Sequence, residues 1–359
     1  MRIAFYNVTA SFISGGLETY CWEVGRALAH RGHEVTIVAG NLGRARNNDV
    51  ALVQFPFRIE QSWPNFGTRF RRLMERLSFA NAGGLSHLVD SRYDAVVINK
   101  PFDFPVLWRA KRRGMRSATL FRSGGTDFFL GDRFFSTAVD YWVSTSLYNA
   151  AQVEARYGHP VKVIHNGVDV GRFCADAARR HPEVQTIVSV GRSVARKGIH
   201  VIIEALAQLP DMVHYRVIGE GPEQSALSQL ATRLGVRDRV EFTGRIDHAQ
   251  LPELLATADV FVQPSIGEEA FGISVVEAMA CGLPVLASDN GGMREIVSPG
   301  ATGKLLPAGD VPAWAAALSS LLSDTLLSQS LGRAARQRAV DHFTWAANAE
   351  AVEAMLIDS

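Results

Sequence analysis

The sequence predicts an α/β fold of two domains, each built on a parallel sheet. Short runs rich in Val and Ile alternate with helix-patterned segments from one end of the chain to the other, as strand–helix–strand units require. With 359 residues the chain is long for a single hydrophobic core. A polar, turn-rich stretch at its middle, HNGVDVGRFCADAARRHPE (165–183), splits the apolar runs into two series and marks a linker.

In the first series the predicted strands are Arg2–Tyr6, Glu34–Ala39, Ala51–Phe55, Ala95–Asn99, Ser117–Phe121, Tyr141–Ser144 and Val161–Ile164. A helix is predicted to begin near Leu17, directly after Gly15 and Gly16. In the second series the strands are Thr186–Val190, Tyr215–Gly219, Val240–Phe242, Val260–Gln263 and Pro284–Ala287. The closing FTWAANAEAVEAMLIDS reads as one amphipathic helix. Open parallel sheets bind ligands at the carboxyl ends of their strands, so both sheets are expected to face a common cleft.

Composition narrows the function classes. Hydrophobic residues make up 47% of the chain, yet no uninterrupted apolar run approaches the ~20 residues of a membrane span. The opening MRIAFYN lacks the charged start and cleavage site of a signal peptide, so a cytoplasmic protein is expected. Cys21, Cys174 and Cys281 lack metal-ligand spacing and are expected to be small buried apolar groups.

The net charge of +1 conceals an asymmetry: residues 1–168 hold 21 Lys and Arg against 13 Asp and Glu, and the remainder is acidic. A basic first half suits an anionic surface or acceptor. In RFRRLMER (69–76), Phe66, Phe70, Leu73 and Leu77 recur at helical spacing with Arg69, Arg72 and Arg76 between them. That pattern fits two readings: a helix lying in the interface of an anionic membrane, at its inner face, or an ordinary surface helix with snorkelling arginines. RAKRRGMR (109–116) is a second basic cluster. No nucleic-acid partner is expected.

Four groups of residues carry the chemistry. Gly15 and Gly16 let backbone N–H groups at a helix start approach a diphosphate, although a plain tight turn uses the same residues. Arg192 and Lys197, five residues apart beyond a buried strand, can neutralise a diphosphate leaving group without a metal. The Asp-x-Asp pair that commonly holds a metal–diphosphate is absent from the sequence. Gly219, Gly221, Gly244 and Arg245 would wall a cleft against a flat base, although loop chemistry alone explains these glycines equally well. Lastly, GEEAFGISVVEAMACGLPVLAS (267–288) sets Glu269 and Glu277 around the helix start at Phe271, Gly272, Ile273 and Ser274, where backbone N–H groups attract anions. Phe271, Ile273, Val275, Val276, Ala278 and Met279 should pack inward. Glu277 is then mostly buried and needs a partner: a ribose hydroxyl, a backbone cap or an arginine.

Taken in order, the glycine loop, HNGVD, the Arg192/Lys197 pair, IGEGP, FTGR, Glu269 to Glu277 and the closing FTW helix resemble the retaining GT-B glycosyltransferases of family 4, over nearly the whole chain. The resemblance implies two Rossmann-like domains: an acceptor-binding domain of residues 1–168, to which a C-terminal helix at about 343–359 returns, and a donor-binding domain of residues 169–342. It further implies a metal-independent transfer of sugar, with no cofactor, from a nucleoside diphosphate sugar (UDP favoured, GDP the alternative) to a hydroxyl of a glycan, glycolipid or small molecule. Arg192, Lys197 and Glu269 would act at the reacting centre. Arg192 and Lys197 would hold the diphosphate, Glu269 the sugar hydroxyls and Glu277 the nucleotide ribose. The backbone from Phe271 to Ser274 would meet sugar and phosphate, and Gly15 and Gly16 would close over the diphosphate.

One segment departs from the pattern. Where many members carry His-Gly-Thr-Asp, this chain has TLFRSGGTDFF, with Gly124 in place of the histidine. Arg122, Ser123 and Asp127 are the candidates for the vacated space on the acceptor or sugar side. Two rivals remain: a nucleotide-sugar-binding protein without turnover, and a nicotinamide-dependent dehydrogenase, against which the missing GxGxxG after the first strand counts.

Overall fold

The computed structural model describes residues 1–13, 15–174 and 183–357. The chain divides into two compact units, Met1–Asn166 with Trp345–Ser359, and Gly167–Thr344.

Unit 1 carries a seven-stranded parallel sheet: β1 (Arg2–Tyr6), β2 (Glu34–Gly40), β3 (Ala51–Phe55), β4 (Ala95–Ile98), β5 (Ala118–Ser123), β6 (Tyr141–Ser144) and β7 (Lys162–Val163), in the order β3-β2-β1-β4-β5-β6-β7. The central strands β1 and β4 are almost wholly apolar and buried, as a sheet covered on both faces demands. The order reverses between β1 and β4, which makes their carboxyl ends a topological switch point. Helix Gly16–His30 buries Tyr20, Cys21, Val24 and Leu28 along one stripe. The C-terminal helix, Trp345–Ile357, packs on it: the Tyr20 and Trp345 rings meet edge-on, 6.3 Å between centroids, and Glu353 pairs with Arg31 and His33.

Unit 2 carries a six-stranded parallel sheet: β8 (Gln185–Val190), β9 (Val213–Ile218), β10 (Val240–Gly244), β11 (Val260–Gln263), β12 (Val285–Ser288) and β13 (Gly303–Leu306), in the order β10-β9-β8-β11-β12-β13. Its switch point lies between β8 and β11. Tyr215, Trp314 and Leu318 belong to one packed core of this unit, and Phe173, Phe261 and Met279 to another.

Three sequence expectations change. β13, GKLL, is a sixth strand that the apolar pattern did not reveal; as a half-buried edge strand led by Gly and Lys it lacks a continuous Val/Ile run. β5 extends to Ser123, which makes Arg122 and Ser123 strand residues. Cys174 is exposed, while Cys21 and Cys281 are buried. Of the expected linker, residues 175–182 lie outside the described residues, as does Ser14 before the glycine loop.

Candidate active site

In unit 2 the predicted donor-site residues gather at the carboxyl ends of β8 and β11. A pocket there is lined by Ser189, Val190, Gly191, Arg192, Lys197, Ile199, Gln263 and Pro264. Lys197 ends a one-turn 3₁₀ helix, Ala195–Lys197, closed by Gly198 at φ +65°; a Cβ on Gly198 would lie 1.9 Å from the Pro264 carbonyl oxygen. Glycine here lets the Lys197 turn press against the end of β11, and a side chain would force the two apart.

Glu269 is the hub. Its Oε1 accepts from Lys197 Nζ at 2.9 Å, Ser265 Oγ at 2.9 Å and Arg196 Nη1 at 3.2 Å. The carbonyl of Glu269 accepts from the Gly292 N–H at 2.8 Å. Asn290 Nδ2 donates to the Ser265 carbonyl at 2.8 Å. A Cβ on Gly291, whose φ is +51°, would stand 2.3 Å from the Glu269 carbonyl oxygen. Ser265, Asn290, Gly291 and Gly292 were missed by the sequence reading; the Asn-Gly-Gly run just after β12 was the available signal. Arg192 is exposed beside the pocket and Arg245 is exposed after β10.

Helix Ile273–Ala280 starts at Gly272, φ +132°, without a side-chain cap, so its first N–H groups stay available to an anion. Phe271, Val275, Val276, Ala278 and Met279 are buried, whereas Ile273 is half-buried, being the first helical residue. Glu277, only 4% exposed, has found a partner the sequence reading did not name: its Oε1 accepts from His248 Nε2 at 2.6 Å. Each glutamate is thus held through one oxygen. Among the described residues nothing hydrogen-bonds to Oε2 of either.

The glycines of IGEGP and FTGR have a packing reason. Gly219 N–H donates to the Gly244 carbonyl, and a Cβ on Gly219 would meet the Gly191 carbonyl oxygen at 2.1 Å. A Cβ on Gly221 would meet that of Ser193 at 2.3 Å. These glycines draw the ends of β8, β9 and β10 together below the pocket.

In unit 1, Gly15 and Gly16 open helix Gly16–His30 as predicted, but a carboxylate already stands there. Glu18 is buried, takes a 2.6 Å hydrogen bond from Thr9 Oγ1, and places Oε2 2.7 Å from where a Gly15 Cβ would be. An acidic side chain in the first turn interacts favourably with the positive end of the helix dipole.

The space beside Gly124 is filled by Arg122. A Cβ on residue 124 would lie 2.7 Å from Arg122 Nη1 and 2.6 Å from Leu17 Cδ2. The guanidinium is 1% exposed, stacks 4.1 Å over the Tyr20 ring and donates to Asn166 Oδ1. Burial lowers its pKa to about 10, which leaves it charged at neutral pH. Arg122 is therefore an internal group of unit 1. Ser123 Oγ donates to the Gly125 carbonyl. Asp127 is bridged by Lys100 at 2.9 Å and Arg72 at 2.7 Å; burial raises its pKa, but the two cations outweigh burial and hold it below the usual range.

The helix considered for membrane contact, Thr68–Phe79, turns two of its four arginines toward acidic partners within the unit. Arg76 is buried against Asp103 at 3.2 Å, and Arg72 pairs with Asp127. Leu73 and Leu77 are half-buried in the unit, while Phe66, Arg69 and Phe70 are exposed.

An open parallel α/β sheet with cations and a carboxylate at its switch point is a frame suited to binding a nucleotide. Glycosyltransferase Family 4 matches residues 14–172, and Glycosyl transferases group 1 matches residues 176–338. The GDP-mannose-dependent alpha-(1-6)-phosphatidylinositol monomannoside mannosyltransferase of Mycobacterium tuberculosis (strain CDC 1551 / Oshkosh) is 30% identical, over 92% of this chain and 91% of its own length. The phosphatidyl-myo-inositol mannosyltransferase of Mycobacterium leprae (strain TN) is 29% identical over 96% and 93%. Sucrose-phosphate synthase from Thermosynechococcus elongatus has the same fold, with a TM-score of 0.86 at 25% identity, covering 99% of this chain and 98% of that one. This chain belongs to the glycosyl transferases group 1 family. It is a glycosyltransferase with the GT-B fold.

Proposed function

We propose that the protein is a retaining, metal-independent glycosyltransferase that moves a hexose from a nucleoside diphosphate sugar to a hydroxyl of a glycolipid. The carrying observation is the pair of carboxylates, Glu269 and Glu277, each anchored through Oε1 with Oε2 unpartnered among the described residues, on either side of an uncapped helix start. Hydroxyl acceptors flanking an anion-binding helix end match a ligand of sugar, diphosphate and ribose. Glu269 would take sugar hydroxyls, and Glu277 the ribose. An ammonium has three donors; Lys197 gives one to Glu269 and keeps two for a phosphate, with Arg192 beside it, so the leaving group can be neutralised by side chains. A departing phosphate oxygen can accept the acceptor's proton in a same-face reaction, and the protein then supplies positioning and charge stabilisation.

For the nucleotide, the sequence reading favours UDP. One relative, matched over 91% of its own length, is GDP-mannose-dependent, and that weighs toward a GDP-sugar. The acceptor class rests on the two lipid-modifying relatives. The test incubates the protein with GDP-mannose or UDP-glucose and a phosphoinositide-containing lipid extract. Released nucleoside diphosphate is expected together with an α-configured glycolipid, at a rate changed less than about twofold by EDTA. Donor binding without product across the panel would leave a nucleotide-sugar-binding protein instead.

Membrane contact belongs to this reading. Among the described residues no helix is long and apolar enough to cross a membrane. Unit 1 exposes Phe134 beside Trp108, whose ring carries Arg112 at 4.6 Å, and Leu130, Arg113 and Arg133 are exposed too. This surface stands beside residues 66–79 as a second place to look for peripheral attachment at the cytoplasmic face. Flotation with anionic vesicles at low salt is expected to be lost on Phe134→Asp and kept on Phe66→Ser; the opposite pattern would favour the helix Thr68–Phe79.

A further inference from the structure

Glu277 does not stand alone. His248, in the loop after β10, donates from Nε2 to Glu277 Oε1 at 2.6 Å, and Arg172 Nη2 lies 3.2 Å from His248 Nδ1. A guanidinium only donates, so Nδ1 accepts and the ring hydrogen sits on Nε2. Arg172 and the fully buried Phe173 are set by the Asp of HNGVD: Asp169 Oδ1 accepts from the N–H groups of Gly171 and Arg172, and its carbonyl accepts from that of Phe173. The Phe173 ring packs 5.5 Å from the imidazole, and Arg336 donates to the Phe173 carbonyl. Three stretches far apart in sequence thereby converge on one carboxylate.

We infer that Arg172 and His248 are positioning residues that orient Glu277 toward the donor ribose, so that the HNGVD turn sets nucleotide recognition in unit 2. The inference rests on the ribose role proposed for Glu277. The hydrogen bond from His248 to Oε1 restricts the rotation of the carboxylate. Oε2 is left as the acceptor for a sugar hydroxyl, at little ordering cost when the nucleotide arrives. Without His248, Glu277 is a buried carboxylate free to turn or to seek another donor.

The readout is the affinity of GDP and UDP relative to their 2′-deoxy and 3′-deoxy forms, measured calorimetrically on the full chain. Wild type is expected to prefer at least one ribonucleotide over its deoxy form by about tenfold or more. His248→Ala, and His248→Leu, which retains the packing on Phe173, should reduce that ratio to within about twofold; His248→Gln, which restores an N–H donor, should recover most of it. Arg172→Met should give an intermediate loss. In transfer assays the same variants should raise the donor KM while kcat stays within about twofold, as expected for binding remote from the reacting atoms. A preserved ribo-to-deoxy ratio in folded His248→Ala or His248→Leu overturns the relay. If Glu277→Gln also leaves the ratio unchanged, the ribose role of Glu277 itself has failed.

Discussion

Replacing Lys197 by alanine should lower the rate of sugar transfer about a hundredfold or more. Lys197 sits at the switch point of unit 2 in a turn that Gly198 seals against the end of β11, and its ammonium is held by Glu269 within reach of the pocket. As the glycosidic bond breaks, negative charge develops on the leaving diphosphate. A preorganised cation there acts where the charge appears, and removal of one such group typically costs 10²–10³ in kcat. The substitution also leaves Glu269 with Ser265 and the exposed Arg196 as its remaining partners, loosening the carboxylate expected at the sugar. Arg196→Ala is the control: its side chain is 57% exposed, so a change of no more than about threefold is expected. Steady-state release of nucleoside diphosphate measures both. A Lys197→Ala enzyme within about twofold of wild type would remove the leaving-group role.

Asp103→Ala should destabilise unit 1 by about 3 kcal/mol or more. Arg76 and Asp103 are buried together, with their charged atoms 3.2 Å apart and Glu75 Oε2 3.4 Å from Arg76. Deleting one partner of a buried ion pair costs ~3–5 kcal/mol because the other charge stays behind, and Glu75 places this case near the lower end. Burial pushes the Asp103 carboxyl up to about 6, with Arg76 and Lys100 pulling it down only in part. A folded-state value above the unfolded 3.8 means that the folded unit binds the proton more tightly. The associated stability is complete below pH ~4 and is lost as the pH rises through about 6. Urea unfolding of wild type should show that decline, and Asp103→Ala should show both the lower stability and a flatter profile over the same window. A variant as stable as wild type at pH 7 would mean that Arg76 does not depend on Asp103.

Much of this protein was legible because its signals are local. A buried parallel strand needs an unbroken run of apolar residues, so AVVI at 95–98 and VFVQ at 260–263 could be located without any partner. A helix start needs a glycine and an amphipathic stripe within a few residues, and this placed the helix at Gly16 and Glu277 inside an apolar one. The ordered motifs identified the family for the same reason, each being a few adjacent residues with a shared backbone requirement.

Long-range pairing was not legible. Nothing around His248 announces that it reaches Glu277, 29 residues on, or that Arg172 meets it from the other side. Arg76 looked like a membrane-facing arginine until the fold brought Asp103 beneath it. At Gly124 the missing side chain was evident, but not that Arg122, two residues earlier on β5, turns its guanidinium into that volume. Residue order dictates which side chains lie on one strand face or helix stripe, because those periods are set by backbone geometry. Which side chains then meet depends on strand order and on how the elements pack, and that selects the partners of buried charges. In this protein the first determines the class of enzyme; the second determines how its carboxylates are held.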